Sequence, residues 1–187
     1  MALSPHINFG DYAPIMTARR ADTSLWPPAA GFAQHASGYL PGYTLTQLMV
    51  AGVFDRFPEL RLYFAESNCS LLPGMLYYLD RDYVEYNDWF QVPLKRMPSE
   101  YVLEHCKFGM IQEKPAIKMA VAGLMPLDMF MWGSDFPHSV GTFPESPRYI
   151  AEAFADVDEE TKRRILVENP AAYFGLDPNA DITPTPA

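Results

Sequence analysis

An apolar run ends at a glycine, and an acid and a histidine follow within five residues: Met129-Phe-Met-Trp-Gly-Ser-Asp-Phe-Pro-His138. That is how a buried strand delivers polar groups to a pocket at its C-terminal end. In parallel α/β proteins, ligands and reactive groups gather at this end of the strands. Asp135 can bind a metal or move a proton, and His138 can do either. The plainer reading stays open at this point, with Asp135 capping a turn and His138 on the surface.

Three further positions fall at the ends of predicted strands: His6, Glu66 and Gln112. If the strands are parallel neighbours, His6, Glu66, Gln112 and Asp135 project from one rim. A histidine and an aspartate converging from different strands suit a divalent ion such as zinc. Such an ion lowers the pKa of bound water and makes a nucleophile near neutral pH. Each residue also has a structural role open to it. Glu66 could cap the helix that follows, as acids do at helix N-termini, and Gln112 reads as structural.

These positions need elements to hold them. Leu3 to Phe9 reads as the end of a strand, and Asp11 to Gly42 as a long loop. Thr44 and Gln47 have capping-box spacing, and the helix they open ends at Pro58. Leu60 to Ala65 is a buried strand leading to Glu66. A helix follows over Leu71–Tyr86, with Leu72, Met75, Leu76 and Leu79 inward and Asp80, Arg81 and Glu85 outward. Asn87 to Met97 reads as a second loop, its neighbouring aromatics, Tyr77 to Phe90, as packing and loop anchors.

Pro98 to His105 is a short helix with His105 on the surface, and Lys107–Gln112 is a third strand. Ile117–Ala122 is helical, and Met129–Gly133 is the fourth strand. Ser146 as N-cap and Pro147 as first residue open a helix that turns Ile150, Ala153 and Phe154 inward. Asp158-Glu-Glu160 starts another, with charges suited to its dipole. Asn169-Pro170 begins a last turn packed by Tyr173 and Phe174. The Pro/Thr/Ala-rich end, residues 178–187, reads as a disordered tail. The alternation implies an α/β fold of parallel strands joined by right-handed crossovers, in one domain over residues 1–177.

The totals narrow the function classes. The 187 residues are 49% hydrophobic, enough for one sizeable core. A net charge of −9 argues against nucleic acid and anionic membrane as partners. No run approaches the roughly 18 apolar residues of a membrane span. The N-terminus lacks signal-peptide features, and Cys69 and Cys106 read as free thiols, so the expected location is cytoplasmic. There is no G-x-S-x-G elbow, and no G-x-G-x-x-G or Walker loop, which argues against serine hydrolysis and a nucleotide cofactor.

Several stretches together resemble a family. They are Ser4-Pro-His6-Ile-Asn-Phe-Gly10, Gly52-Val-Phe-Asp-Arg-Phe-Pro-Glu-Leu60 running into Ala65-Glu66, Trp132-Gly-Ser-Asp-Phe-Pro-His138, Thr142-Phe-Pro-Glu-Ser146 and Asn169-Pro-Ala-Ala-Tyr-Phe-Gly175. The chain resembles the C-terminal half of amidohydrolase family 2. That group holds metal-dependent hydrolases and decarboxylases similar to aminocarboxymuconate-semialdehyde and resorcylate decarboxylases. The resemblance implies strands 5–8 of a TIM-like (β/α)₈ barrel, with a divalent metal, zinc, at the C-terminal rim. It implies His6 and Asp135 as metal ligands; proton transfer is left to Asp135, Glu66 or water, with His138 as a substrate-binding rim residue.

Two departures matter. The decarboxylases carry a catalytic histidine after the sixth strand, where this chain has Glu66. That favours hydrolysis of a small organic molecule by metal-activated water over decarboxylation. The paired ligand motif of the family's first strand, His-x-His or Glu-x-His, is absent. The expectation is therefore a truncated chain that holds half a site. It would act with a complementing N-terminal half or as a homo-oligomer, or be a non-catalytic fragment.

Overall fold

Four parallel strands run side by side in chain order, β1-β2-β3-β4. The computed structural model describes residues 2–3, 42–139 and 141–180. They form β1 (Ala2–Leu3), α1 (Gly42–Val50), α2 (Val53–Arg56), β2 (Arg61–Phe64) and α3 (Leu72–Phe90). Next come α4 (Pro98–His105), β3 (Cys106–Met110), α5 (Lys114–Val121) and β4 (Phe130–Trp132). The last are α6 (Ser146–Ala153), α7 (Glu159–Arg163) and α8 (Asn169–Phe174). The α/β alternation read from the sequence is present. His6, His35 and most of the Asp11 to Gly42 loop lie outside the described residues.

The register aligns the two faces of the sheet. Phe64 pairs with Phe108 and Phe108 with Phe130, so these side chains share a face. With Leu62 they form one core with Leu45, Phe54, Leu72, Val102, Ile117 and Ile165 from the helical side. Strand alternation then sends Tyr63, Gly109 and Met131 to the opposite face. Met131 is buried but stands apart from that core.

Several boundaries differ from those read in the sequence, each for a local reason. The first helix starts at Gly42, and Thr44 is buried inside it instead of capping it. It breaks where Gly52 takes φ 65°, so Val53 opens a separate helix. The next helix runs to Phe90, because Asn87 Oδ1 accepts from the Val92 N–H at 2.8 Å and closes its end. This carries the aromatic cluster onto a helix surface, where Trp89 is 81% exposed; Tyr77, Tyr78 and Phe90 are exposed too. Among them Tyr83 anchors a loop as expected, donating to Leu94 O at 2.8 Å.

Asp80, expected to face outward, accepts from Ser99 N and Oγ at 2.8 and 2.6 Å and so ties α3 to the start of α4. His105 is a correction: it is 1% exposed, stacked on Phe54 at 4.5 Å, with its Nδ1–H donating to Leu60 O. As the last residue of α4 it turns inward onto Phe54, where the Leu60 carbonyl satisfies Nδ1 while Nε2 is buried with no hydrogen-bond partner. Ser146 does not cap its helix but lies within it, its hydroxyl 2.8 Å from Thr142 Oγ1. Asp158 does cap the next, accepting from Thr161 N at 2.8 Å.

Asn169-Pro170 does not begin a separate turn. The helix continues through a π-helical turn over Arg164–Glu168 into α8. The wider turn suits Pro170, which has no N–H to extend the α-helical ladder. Asn169 Nδ2 donates to Leu127 O and Phe130 O, both at 2.8 Å, which pins α8 beneath β4.

Candidate metal centre

The strand ends deliver their acids through unusual backbone. Glu66 follows β2 at φ 51° and Asp135 follows β4 at φ 57°, both in the left-handed region that L-residues avoid. Nothing in the strands demands this. The turn aims both carboxylates at one point, and such strain clusters where side-chain placement matters. Glu66, Asp135 and His138 each offer a ligand atom within 4.8 Å of the other two.

His138 Nδ1 lies 2.7 Å from Asp135 Oδ1 and 3.8 Å from Glu66 Oε1. The Asp135 side chain is only 5% exposed, whereas His138 is 54% exposed at the rim. Asp135 Oδ2 is buried with no hydrogen-bond partner. A buried carboxylate oxygen with nothing to accept from costs on the order of 1–3 kcal/mol or more. A cation would satisfy it. Two carboxylates, with an imidazole bonded to one of them, suit manganese or zinc.

The loop holding this cluster has little freedom. His138 N donates to Asp135 O at 2.8 Å and Gly141 N to His138 O at 3.1 Å. Thr142, 1% exposed, donates through its backbone N to Ser134 O at 2.8 Å. A Cβ on Gly141 would stand 2.7, 2.9 and 3.1 Å from the carbonyls of Ser134, Asp135 and His138. Only glycine fits there.

The other side of the rim is tied by a residue that the sequence reading passed over. Glu113, just past β3, accepts through Oε2 from Ser70 N at 3.3 Å and lies 3.5 Å from Ser70 Oγ. It bridges the β3 end to the turn that follows Glu66. Burial pushes its carboxyl above the usual range, although the hydrogen bonds from Ser70 and Cys69 oppose that. No sequence motif marks it; only the adjacency of β2 and β3 does. Its contribution to folding is fully present below the unfolded value near 4.5 and fades as pH rises through its raised folded value. Glu113→Gln is therefore expected to flatten the decline in stability between the unfolded value near 4.5 and the raised folded value. Urea midpoints measured across that range check it, and an unchanged pH profile would refute it.

Both cysteines are free thiols, as expected, and both are buried. Burial raises both thiols well above their usual range, so neither supplies a thiolate to the site. Among the described residues no helix is long and apolar enough to cross a membrane.

Of the residues singled out in the sequence, the structure brings together Glu66, Asp135 and His138. His6, read as a metal ligand, lies outside the described residues. Comparison with known proteins bears on the family and the fold. A 2-amino-3-carboxymuconate-6-semialdehyde decarboxylase from Dictyostelium discoideum is 27% identical over 135 residues, 72% of this chain and 36% of that protein. The crystal structure of an amidohydrolase from Mycobacterium avium subsp. paratuberculosis superposes with TM-score 0.69 at 19% identity, over 95% of this chain and 42% of that one. A 5-carboxyvanillate decarboxylase from Novosphingobium aromaticivorans superposes with TM-score 0.61 at 23% identity, over 87% of this chain and 44% of that one. The last was crystallised with manganese and 4-hydroxy-3-methoxy-5-nitrobenzoic acid. This chain spans less than half the length of each of these relatives. The family described as amidohydrolase matches residues 35–176, from before α1 to the end of α8, and the chain belongs to that family.

Proposed function

We propose that this chain supplies the C-terminal, strand 5–8 part of a metal-dependent decarboxylase site for a small organic acid. The observation that carries the reading is the buried, unpartnered Asp135 Oδ2 beside Glu66 and His138 at the ends of parallel strands. The decarboxylases among its relatives support this reaction over the hydrolysis expected from the sequence. A divalent ion, when bound, would supply Lewis acidity and bring an anionic substrate next to two carboxylates. The chain's own residues do the rest. Asp135 and Glu66 would hold the ion. The Asp135 contact fixes the His138 ring, with Nδ1–H donating to Oδ1, so His138 can pass a proton at the exposed rim. Zinc and manganese both fit this donor set.

Hydrolysis remains the second reading, and Glu66 favours it. A carboxylate in the place of a histidine suits a base that accepts a proton from water. One experiment separates the two. The purified protein, loaded with Mn²⁺ or Zn²⁺, is incubated with hydroxybenzoate-type carboxylic acids, and released CO₂ is measured beside ester and lactone cleavage. Metal-dependent CO₂ release supports decarboxylation; cleavage without CO₂ selects hydrolysis. No turnover by protein that binds the metal would sink both for this chain alone.

A further inference from the structure

Tyr63 is a polar group in the interior that the proposed chemistry has not used. Its neighbours on β2, Leu62 and Phe64, belong to the core on the helical face, so Tyr63 projects from the opposite face. There the ring lies across β3. A Cβ on Gly109 would stand 2.9 Å from Tyr63 Cζ, so only a glycine at 109 leaves room for the phenol. The hydroxyl reaches further, to 3.9 Å from where a Cβ on Gly133 would be. Gly133 is two residues before Asp135. The phenol thus runs from β2 over β3 towards the end of β4, below the carboxylate–imidazole cluster.

The ring is braced from behind. Tyr173 and Phe174 of α8 lie 5.8 and 5.7 Å from it, centroid to centroid. Its hydroxyl makes no hydrogen bond with any described residue. A braced phenol with an unused donor, reaching towards the strand end whose Asp135 also carries an unpartnered carboxylate oxygen, is the arrangement of a site that completes itself on a ligand.

We propose that Tyr63 is a specificity-determining residue, its hydroxyl donating from the floor of the site to an oxygen of a small carboxylate ligand. The inference rests on the metal-dependent reading above. Two carboxylates in the site would repel a ligand carboxylate, so a cation and a neutral donor must offset them. Burial, followed by the nearby Cys69 and Glu66, pushes the phenol up to about 12. Tyr63 therefore stays protonated and able to donate at neutral pH. A lysine there would add charge and a serine would fall short of β4; a tyrosine spans the strand and stays neutral.

The test uses the full chain with Mn²⁺ and 4-hydroxy-3-methoxy-5-nitrobenzoate as probe, whose nitrophenol absorbance reports binding. Tyr63→Phe keeps the ring contacts and removes only the hydroxyl, so melting and Mn²⁺ affinity by electron paramagnetic resonance should not move. Probe affinity is expected to fall roughly 10- to 100-fold, as for a lost hydrogen bond to a charged group. Equal probe affinity in parent and variant would overturn the inference and leave the metal reading standing. Mn²⁺ binding without probe binding by the parent would also overturn it. If the parent bound neither, the functional reading would fail and this inference with it.

Discussion

Asp135→Ala is expected to lower Mn²⁺ affinity at least about 100-fold, since even partners one bond removed from a metal ligand cost roughly 10- to 100-fold. The side chain is 5% exposed and one of its oxygens has no partner, so no surface group can take over its role. Glu66→Ala should act in the same direction. Stability is expected to move the other way. Both residues hold left-handed backbone, which costs an ordinary side chain on the order of 1–2 kcal/mol. Glycine has no such cost, so Glu66→Gly should raise urea stability by about 1 kcal/mol while metal binding is lost. The gain should be smaller at 135, because aspartate tolerates this region better than glutamate. Isothermal titration with Mn²⁺ beside urea unfolding checks both halves. Metal affinity unchanged in Asp135→Ala and Glu66→Ala would remove the assigned centre.

Gly141→Ala carries the second large effect. Its new methyl group would meet three carbonyl oxygens within 3.1 Å, all of them backbone, so no flexible side chain can move aside. The loop must open, and overpacking of this kind costs roughly 1–3 kcal/mol. Two of those carbonyls belong to Asp135 and His138, so the distortion reaches the cluster directly. The expected result is a lower urea midpoint together with weaker Mn²⁺ binding. Gly123 is the control. It sits at φ 73°, with open space around a Cβ, and lies away from the rim. An alanine there should destabilise through backbone strain alone and leave metal affinity untouched. Were Gly141→Ala to keep full metal affinity, the loop would not be what sets the ligand geometry.

The expected strands at Leu60, Lys107 and Met129 all exist, though each is shorter than its apolar run. Strand pairing ends where the chain turns into the rim and begins only after Leu60 and Met129, which still pack against the core just before their strands. The helices were less legible at their ends. Caps depend on which partner lies within reach, so Asp80 was read as a surface acid when its partner, Ser99, is nineteen residues away. His105 was misplaced for the same reason. A polar residue at the end of a short helix reads as exposed until the strand beneath it is known.

The sequence by itself determined the alternating α/β order, the rim positions of Glu66 and Asp135, and the membership that the Trp132–His138 stretch suggests. These are local signals: apolar runs, a glycine stop, an acid at the strand end. The tertiary structure alone decided which of those residues meet. Parallel pairing of β2, β3 and β4 brings together side chains that are 69 positions apart in the chain, Glu66 and Asp135. It also lays Tyr63 over Gly109 and ties Glu113 to Ser70, contacts that no spacing encodes. Left-handed backbone at two acids was likewise invisible, because a residue's type does not reveal strain that the fold imposes on it.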